Sequence, residues 1–146
     1  MTMISKDDRL VYLLLAAQHR LRMHIKDELI AAGLKVTLVQ AGILFLLKEK
    51  NGRSMSELSR LLFIDNSTIT GLIDRLEISG FVLRKTNPKD RRSSLIHITR
   101  HGLHEVNQAG IVINRINEAI KTDLSDQELE SFKKILNGFL TQFKKA

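Results

Sequence analysis

Apolar positions recur every three or four residues along most of this chain, and the places where that period fails mark its turns. Between Ser5 and Ala32, the residues Leu10, Leu14, Ala17, Leu21, Ile25 and Leu29 form one helical stripe. Ser5 with Asp7 and Asp8 suits the start of such a helix, and Gly33 suits its stop. A helix of roughly 27 residues would run about 40 Å at 1.5 Å per residue. That is longer than a small globule needs, so packing against a second subunit as well as its own domain is expected, the alternative being a long helix wrapped by its own chain.

After the connector at 34–37, Thr37 and Gln40 have capping-box spacing. The helix they open turns Ala41, Leu44, Phe45 and Leu47 inward, until Lys48-Glu49-Lys50 ends its buried face. Asn51-Gly52-Arg53 reads as a turn, and Ser54-Met55-Ser56-Glu57 repeats the capping-box pattern ahead of a short helix with Leu58, Leu61 and Leu62 inward. Phe63-Ile64-Asp65 leads into a second amphipathic helix over 65–80, N-capped by Asp65 or Asn66. Its buried face is Ile69, Leu72, Ile73 and Leu76, and Gly80 stands where a left-handed C-terminal cap is expected.

The period then shortens. Phe81–Lys85 and Ser93–Thr99 read as strands around a polar, basic loop at Thr86–Arg92 (TNPKDRR). Thr99 caps a further helix with Leu103, Val106, Gly110, Ile113, Ile116 and Ile120 inward. Ser125 and Glu128 form a third capping box, before a last stripe of Leu129, Phe132, Leu136, Phe139, Leu140 and Phe143. A short helix, a tight turn, a second helix and a basic hairpin make a winged helix-turn-helix. The expected fold is therefore mainly α with a small β-hairpin wing, in the α+β class. The winged helix spans 37–99, and helical segments at 5–33 and 100–144 flank it within a single 146-residue chain.

Composition narrows the function. The formal net charge of +7 favours a polyanionic partner, nucleic acid above all. The absence of cysteine removes disulfides, thiolate metal sites and thiol redox switching together. No run approaches the roughly 18 apolar residues of a membrane span, and MTMISKDDRL lacks the apolar region of a signal peptide, so a cytoplasmic protein without membrane contact is expected. No phosphate-binding glycine loop, H-E-x-x-H pair or nucleophile elbow is present, and no enzymatic activity is expected. His97, His101, His104 and Glu105 cluster in sequence, with His19 and His24 far away. Scattered histidines without cysteine are mostly surface residues, so no metal site is expected.

The residues that suit a nucleic acid lie on three elements. Asn66, Ser67, Thr68, Thr70 and Gly71 begin the second helix with short, mostly polar side chains, as entry into a major groove requires. The plainer alternative is an exposed helix face. Gly71 costs about 1 kcal/mol in a helix interior relative to alanine, a cost that close backbone approach to DNA or to the preceding helix would explain. Arg75, one turn on, suits either a phosphate or an internal carboxylate. Arg53, Ser54 and Ser56 could meet phosphate at the start of the first helix. On the hairpin, Arg84, Lys89, Arg91 and Arg92 supply positive charge suited to a narrow minor groove, and Asp90 among them reads as a brace for the wing or as simple charge balance.

The run DNSTITGLIDRLEISGFVLRKTNPKDRRSSLIHITRHG closely resembles the core of the MarR family of bacterial transcription regulators. The resemblance rests on the S/T-x-x-x-L-[IV]-D-R-L-E helix, the following glycine, the N-P-x-D-x-R wing and the closing I-T-x-x-G. Nearly the whole chain fits. The resemblance implies an obligate homodimer whose first and last two helices interlock, with each second helix in the major groove and each wing in the adjoining minor groove. Asp90 and Arg92 match the family's wing pair, and Asn66–Gly71 match the groove-facing start of the recognition helix. Gly71 stands where many relatives carry arginine.

The expected function is a homodimeric, sequence-specific, double-stranded-DNA-binding regulator, a ligand-responsive repressor on a pseudo-palindromic operator. Two-fold symmetry would set its half-sites about one helical turn apart. No cofactor is expected, and a small-molecule effector is a candidate partner. The alternative is a winged helix serving protein–protein or RNA contact without operator specificity; a steep fall of log K with log [salt] is expected for DNA, and near-independence would contradict the DNA reading.

Overall fold

A computed structural model describes residues 9–144. The elements run α1 (Leu10–Ala31), α2 (Leu38–Glu49), β1 (Arg53–Ser54), α3 (Met55–Leu62), α4 (Asn66–Ile78), β2 (Val82–Asn87), β3 (Asp90–Ile98), α5 (Arg100–Lys121) and α6 (Asp126–Gln142). The expected helix start at Ser5, Asp7 and Asp8 lies outside the described residues. Two compact units divide at Val112 and Ile113, inside α5.

In the first unit the helices start and stop for local reasons. Thr37 caps α2 through a complete capping box: its Oγ1 accepts the Gln40 N–H at 3.3 Å, and Gln40 Oε1 accepts the Thr37 N–H at 2.9 Å. At the end of α4, Gly80 takes φ +80°, which lets the Phe81 N–H reach the Leu76 carbonyl at 2.9 Å and the Gly80 N–H reach Glu77 at 3.0 Å. The chain reverses there and enters β2. The same pattern of bonds closes α3, but its left-handed residue is Phe63, at φ 57° and largely exposed.

The core of this unit gathers Leu44 and Leu47 of α2, Leu58 of α3, Ile73 and Leu76 of α4, and Ile96 of β3, all buried to 1% exposure or less. Burial of each such side chain contributes about 1.5–3 kcal/mol. Phe45, Leu61, Leu62 and Leu72, expected inward, are only partly covered. Along α1 the expected stripe is buried only at Ile25 and Leu29, while Leu10, Leu14 and Leu21 stay exposed. Along α5 the buried positions include Glu105, Val106, Ala109 and Val112, and Leu103 and Ile120 remain more than one-third exposed.

The sheet is larger than the expected hairpin. Its order is β1-β3-β2, all antiparallel, because Arg53 and Ser54 pair with Ile96 and Leu95. The expected loop at 86–92 is mostly strand. Asn87 Oδ1 accepts the Lys89 N–H at 3.0 Å, so the chain turns over Pro88 and Lys89 alone and pairing resumes at Asp90. Between the Thr86–Ser94 and Asn87–Asp90 pairs the register slips, and Arg91, Arg92 and Ser93 bulge from the ladder.

A small knot ties β2, β3 and α5. Thr99 Oγ1 donates to the Gly80 carbonyl at 2.6 Å and accepts the Gly102 N–H at 3.0 Å, while the Thr99 N–H donates to the Phe81 carbonyl. Glu105 closes the other side: its buried Oε2 accepts the Lys35 and Val36 N–H groups, fixing the connector before α2.

In the second unit, Ser125 and Glu128 form the expected complete capping box at the start of α6. No residue of α6 is buried; Phe132, Ile135, Leu136, Phe139 and Leu140 are 38–56% exposed along one helix. No described helix is long and apolar enough to cross a membrane.

Candidate nucleic-acid interface

Helix α4 begins at Asn66 with Asp65 at its N-cap in extended conformation. The polar face at this end is tied to α3: the Ser59 hydroxyl donates to Asn66 Oδ1 at 2.8 Å. Thr70 Oγ1 donates to the Asn66 carbonyl at 3.1 Å, an internal bond within the first turn of the helix. Asn66, Ser67, Thr68 and Thr70 are exposed and contiguous. Gly71 follows with no heavy atom within 4 Å of where a Cβ would stand. Packing against the preceding helix therefore does not explain this glycine. Arg75 is also exposed on α4.

The wing carries the second concentration of charge. Lys85, Lys89, Arg91 and Arg92 are exposed, and the Arg92 side chain is 96% accessible. Asp90 Oδ1 accepts the Arg92 N–H at 3.1 Å and lies 3.7 Å from Arg92 Nε. Ser93 Oγ donates to the Asp90 carbonyl and accepts from Asn87 Nδ2. The tip is thus shaped by its own polar side chains, and the bulge pushes Arg91 and Arg92 outward. His97 behind it has its imidazole lowered below the ordinary histidine value, first by burial and then by Lys85.

Two of the arginines expected at DNA have partners within the protein instead. Arg53 is buried, and all three of its guanidinium nitrogens are used: Nε donates to the Leu46 carbonyl at 2.9 Å, one terminal nitrogen to Glu57 at 2.8 Å and the other to Glu49 at 3.2 Å. It staples α2 to α3 and is not available to a phosphate. This also alters the expected capping box of α3. Ser54 Oγ accepts the Glu57 N–H at 3.1 Å, but the Glu57 carboxylate is taken by Arg53. Ser54 is half-buried in that role, and Ser56 beside it is exposed.

Arg84 is the second correction. Its side chain is 28% exposed and turns back onto α4, pairing with Asp74 and facing Glu77. Neither carboxylate stands out in the sequence as its partner. Their three-residue spacing, which puts both on one helix face opposite a strand arginine, is the available signal.

The MarR family model matches residues 36–94. The regulator TtmR of Methylorubrum extorquens (strain PA1) is 35% identical over 98 residues, which cover 67% of this chain and 49% of that protein. The chain spans about half the length of that relative. A crystal structure of a probable transcriptional regulator from Pseudomonas aeruginosa superposes with a TM-score of 0.83 at 27% identity, covering 92% of this chain and 99% of that one. The S. aureus MepR–DNA complex has the same fold, with a TM-score of 0.84 at 20% identity over 96% of this chain and all of MepR.

Proposed function

The chain belongs to the MarR family, and on that premise we propose that it is a homodimeric transcriptional regulator that binds double-stranded DNA sequence-specifically. The observation that carries the reading is the juxtaposition, on one unit, of the small polar start of α4 with a wing whose bulge projects Arg91 and Arg92. A helix end of that kind suits the major groove, and an outward arginine suits the enhanced negative potential of a narrow minor groove. MepR, of the same fold, has been captured on DNA.

Dimerisation is supported by the uncovered apolar residues of α1 and of α6, which together are too hydrophobic to be left to water. A second copy covering them would supply two α4 helices and predicts a pseudo-palindromic operator with half-sites about one helical turn apart. A small-molecule effector would act by favouring one spacing of the two reading units over another; a few kcal/mol of differential binding suffices. With that role the protein is a cytoplasmic repressor and not an enzyme.

Footprinting the purified protein on the DNA upstream of its own coding sequence, across a salt series and with candidate effectors, tests this directly. Two protected half-sites and a steep fall of log K with log [salt] are expected. A salt-independent association, or protection of a single half-site by a monomer, contradicts it.

A further inference from the structure

Arg84 occupies an unusual place for a cation in a DNA-binding lobe. It leaves β2 and turns onto the recognition helix α4, where one terminal nitrogen pairs with Asp74. Its Nε is buried without a hydrogen-bond partner among the described residues and faces Glu77 Oε1 at 3.4 Å. Asp74 and Glu77 are 54% and 44% exposed, so neither needs this arginine for burial. Two negative charges on a helix meant for a polyanion oppose binding, and this arginine is the cation that the fold sets against both.

We infer that Arg84 is a positioning residue, which locks the recognition helix to the wing strand and turns Asp74 and Glu77 away from the phosphates. The inference rests on the DNA-binding reading above. The planar guanidinium is suited to the task, because its fork can address two carboxylates at once, whereas a lysine ammonium is a single point charge on a flexible stem. Arg53 makes the same kind of fork between Glu49 and Glu57, but inside the scaffold. Arg84 makes it between the two elements that would read adjacent grooves. Without the lock, α4 and the wing would keep their own shapes while losing their mutual angle, and two carboxylates would be free to face DNA.

The test is an affinity cycle on the upstream DNA with the full chain. Arg84→Lys and Arg84→Gln are each made alone and with the pair Asp74→Asn and Glu77→Gln, and circular dichroism melts confirm folding. The positioning role predicts roughly tenfold weaker binding for Arg84→Gln and a several-fold loss for Arg84→Lys, although the lysine keeps the charge. It predicts that neutralising the two acids recovers part of the affinity lost in the Arg84→Gln background, the part due to repulsion and not the part due to the lost lock, and does not raise it in the wild-type background. Hydroxyl-radical footprints of Arg84→Lys should lose minor-groove protection before major-groove protection. A direct phosphate contact predicts the opposite: Arg84→Lys binds like wild type, and acid neutralisation helps equally in both backgrounds. That result overturns the proposal. Wild-type protein that binds no DNA in the salt series removes the reading beneath it, and the proposal falls with it.

Discussion

A methyl group on Gly102 would stand 2.2 Å from the carbonyl oxygen of Phe81. That carbonyl also accepts the Thr99 N–H, so it has little freedom to retreat. Gly102→Ala should therefore destabilise the protein by roughly 1–3 kcal/mol, read as a lower denaturation midpoint. A variant as stable as wild type would show that the α5–β2 junction yields more easily than this geometry allows.

Gly71 has the opposite surroundings. With nothing within 4 Å of its missing Cβ, Gly71→Ala should stabilise the helix by up to about 1 kcal/mol. The same substitution should weaken DNA binding if the glycine is kept for close backbone approach. Denaturant titration and affinity on the same variant separate the two effects. Equal gains in both would remove Gly71 from the interface.

Arg53→Met keeps the buried stem and removes three polar contacts. A loss of roughly 2 kcal/mol is expected, below that of a fully buried pair because Glu49 is three-quarters exposed and screened by solvent. The salt slope of DNA binding should not change, since this arginine is not placed to release counterions. A slope shallower by about 1 would restore the phosphate role.

Arg92→Ala is expected to behave in the reverse manner. The side chain is almost wholly exposed, so the melting curve should be unaltered while DNA affinity falls severely and the salt slope drops by about 1. Wild-type affinity in this variant would withdraw the wing from the interface.

Stability should also vary with pH through His97. Its folded value lies below the ordinary 6.5, because burial and then Lys85 disfavour the imidazolium. Between those two values the unfolded chain holds more protons than the native one. The stability from keeping the ring neutral is thus complete above 6.5 and lost as pH falls through the folded value. Denaturant midpoints measured across that window should rise with pH, and His97→Gln should flatten the rise.

The helix ends were the most legible part of this fold, because each cap is a local agreement between neighbours in sequence: Thr37 with Gln40, Ser125 with Glu128, Gly80 with the turn after it. Tertiary pairing was less so. The two-residue strand β1 has no alternation to betray it; Ser54 is extended already as the N-cap of α3, and it is pairing with β3 that makes the two residues a strand. The length of the wing strands depended on a side chain, Asn87, closing the turn sooner than composition suggested. Among the candidate contacts, sequence identified which residues carry charge but not where they point. Arg53 and Arg84 look the same as Arg92 along a basic sequence; burial and opposing carboxylates set them apart. The apolar stripes of α1 and α6 were visible from their period, which cannot say whether the surface that covers them belongs to the same chain.

The strand order β1-β3-β2 leaves two edges on the sheet. An unpaired edge invites strands from other molecules, the usual first step toward aggregation. On one side β1 covers only Leu95 and Ile96 of β3 and leaves the bulged stretch of Arg91 and Arg92 uncovered. The other edge carries Lys85 and loses its register at the bulge before Asn87. An incoming copy would meet like charge on a strand too irregular to extend. The wing can thus stand out from the protein without becoming a template for its own precipitation.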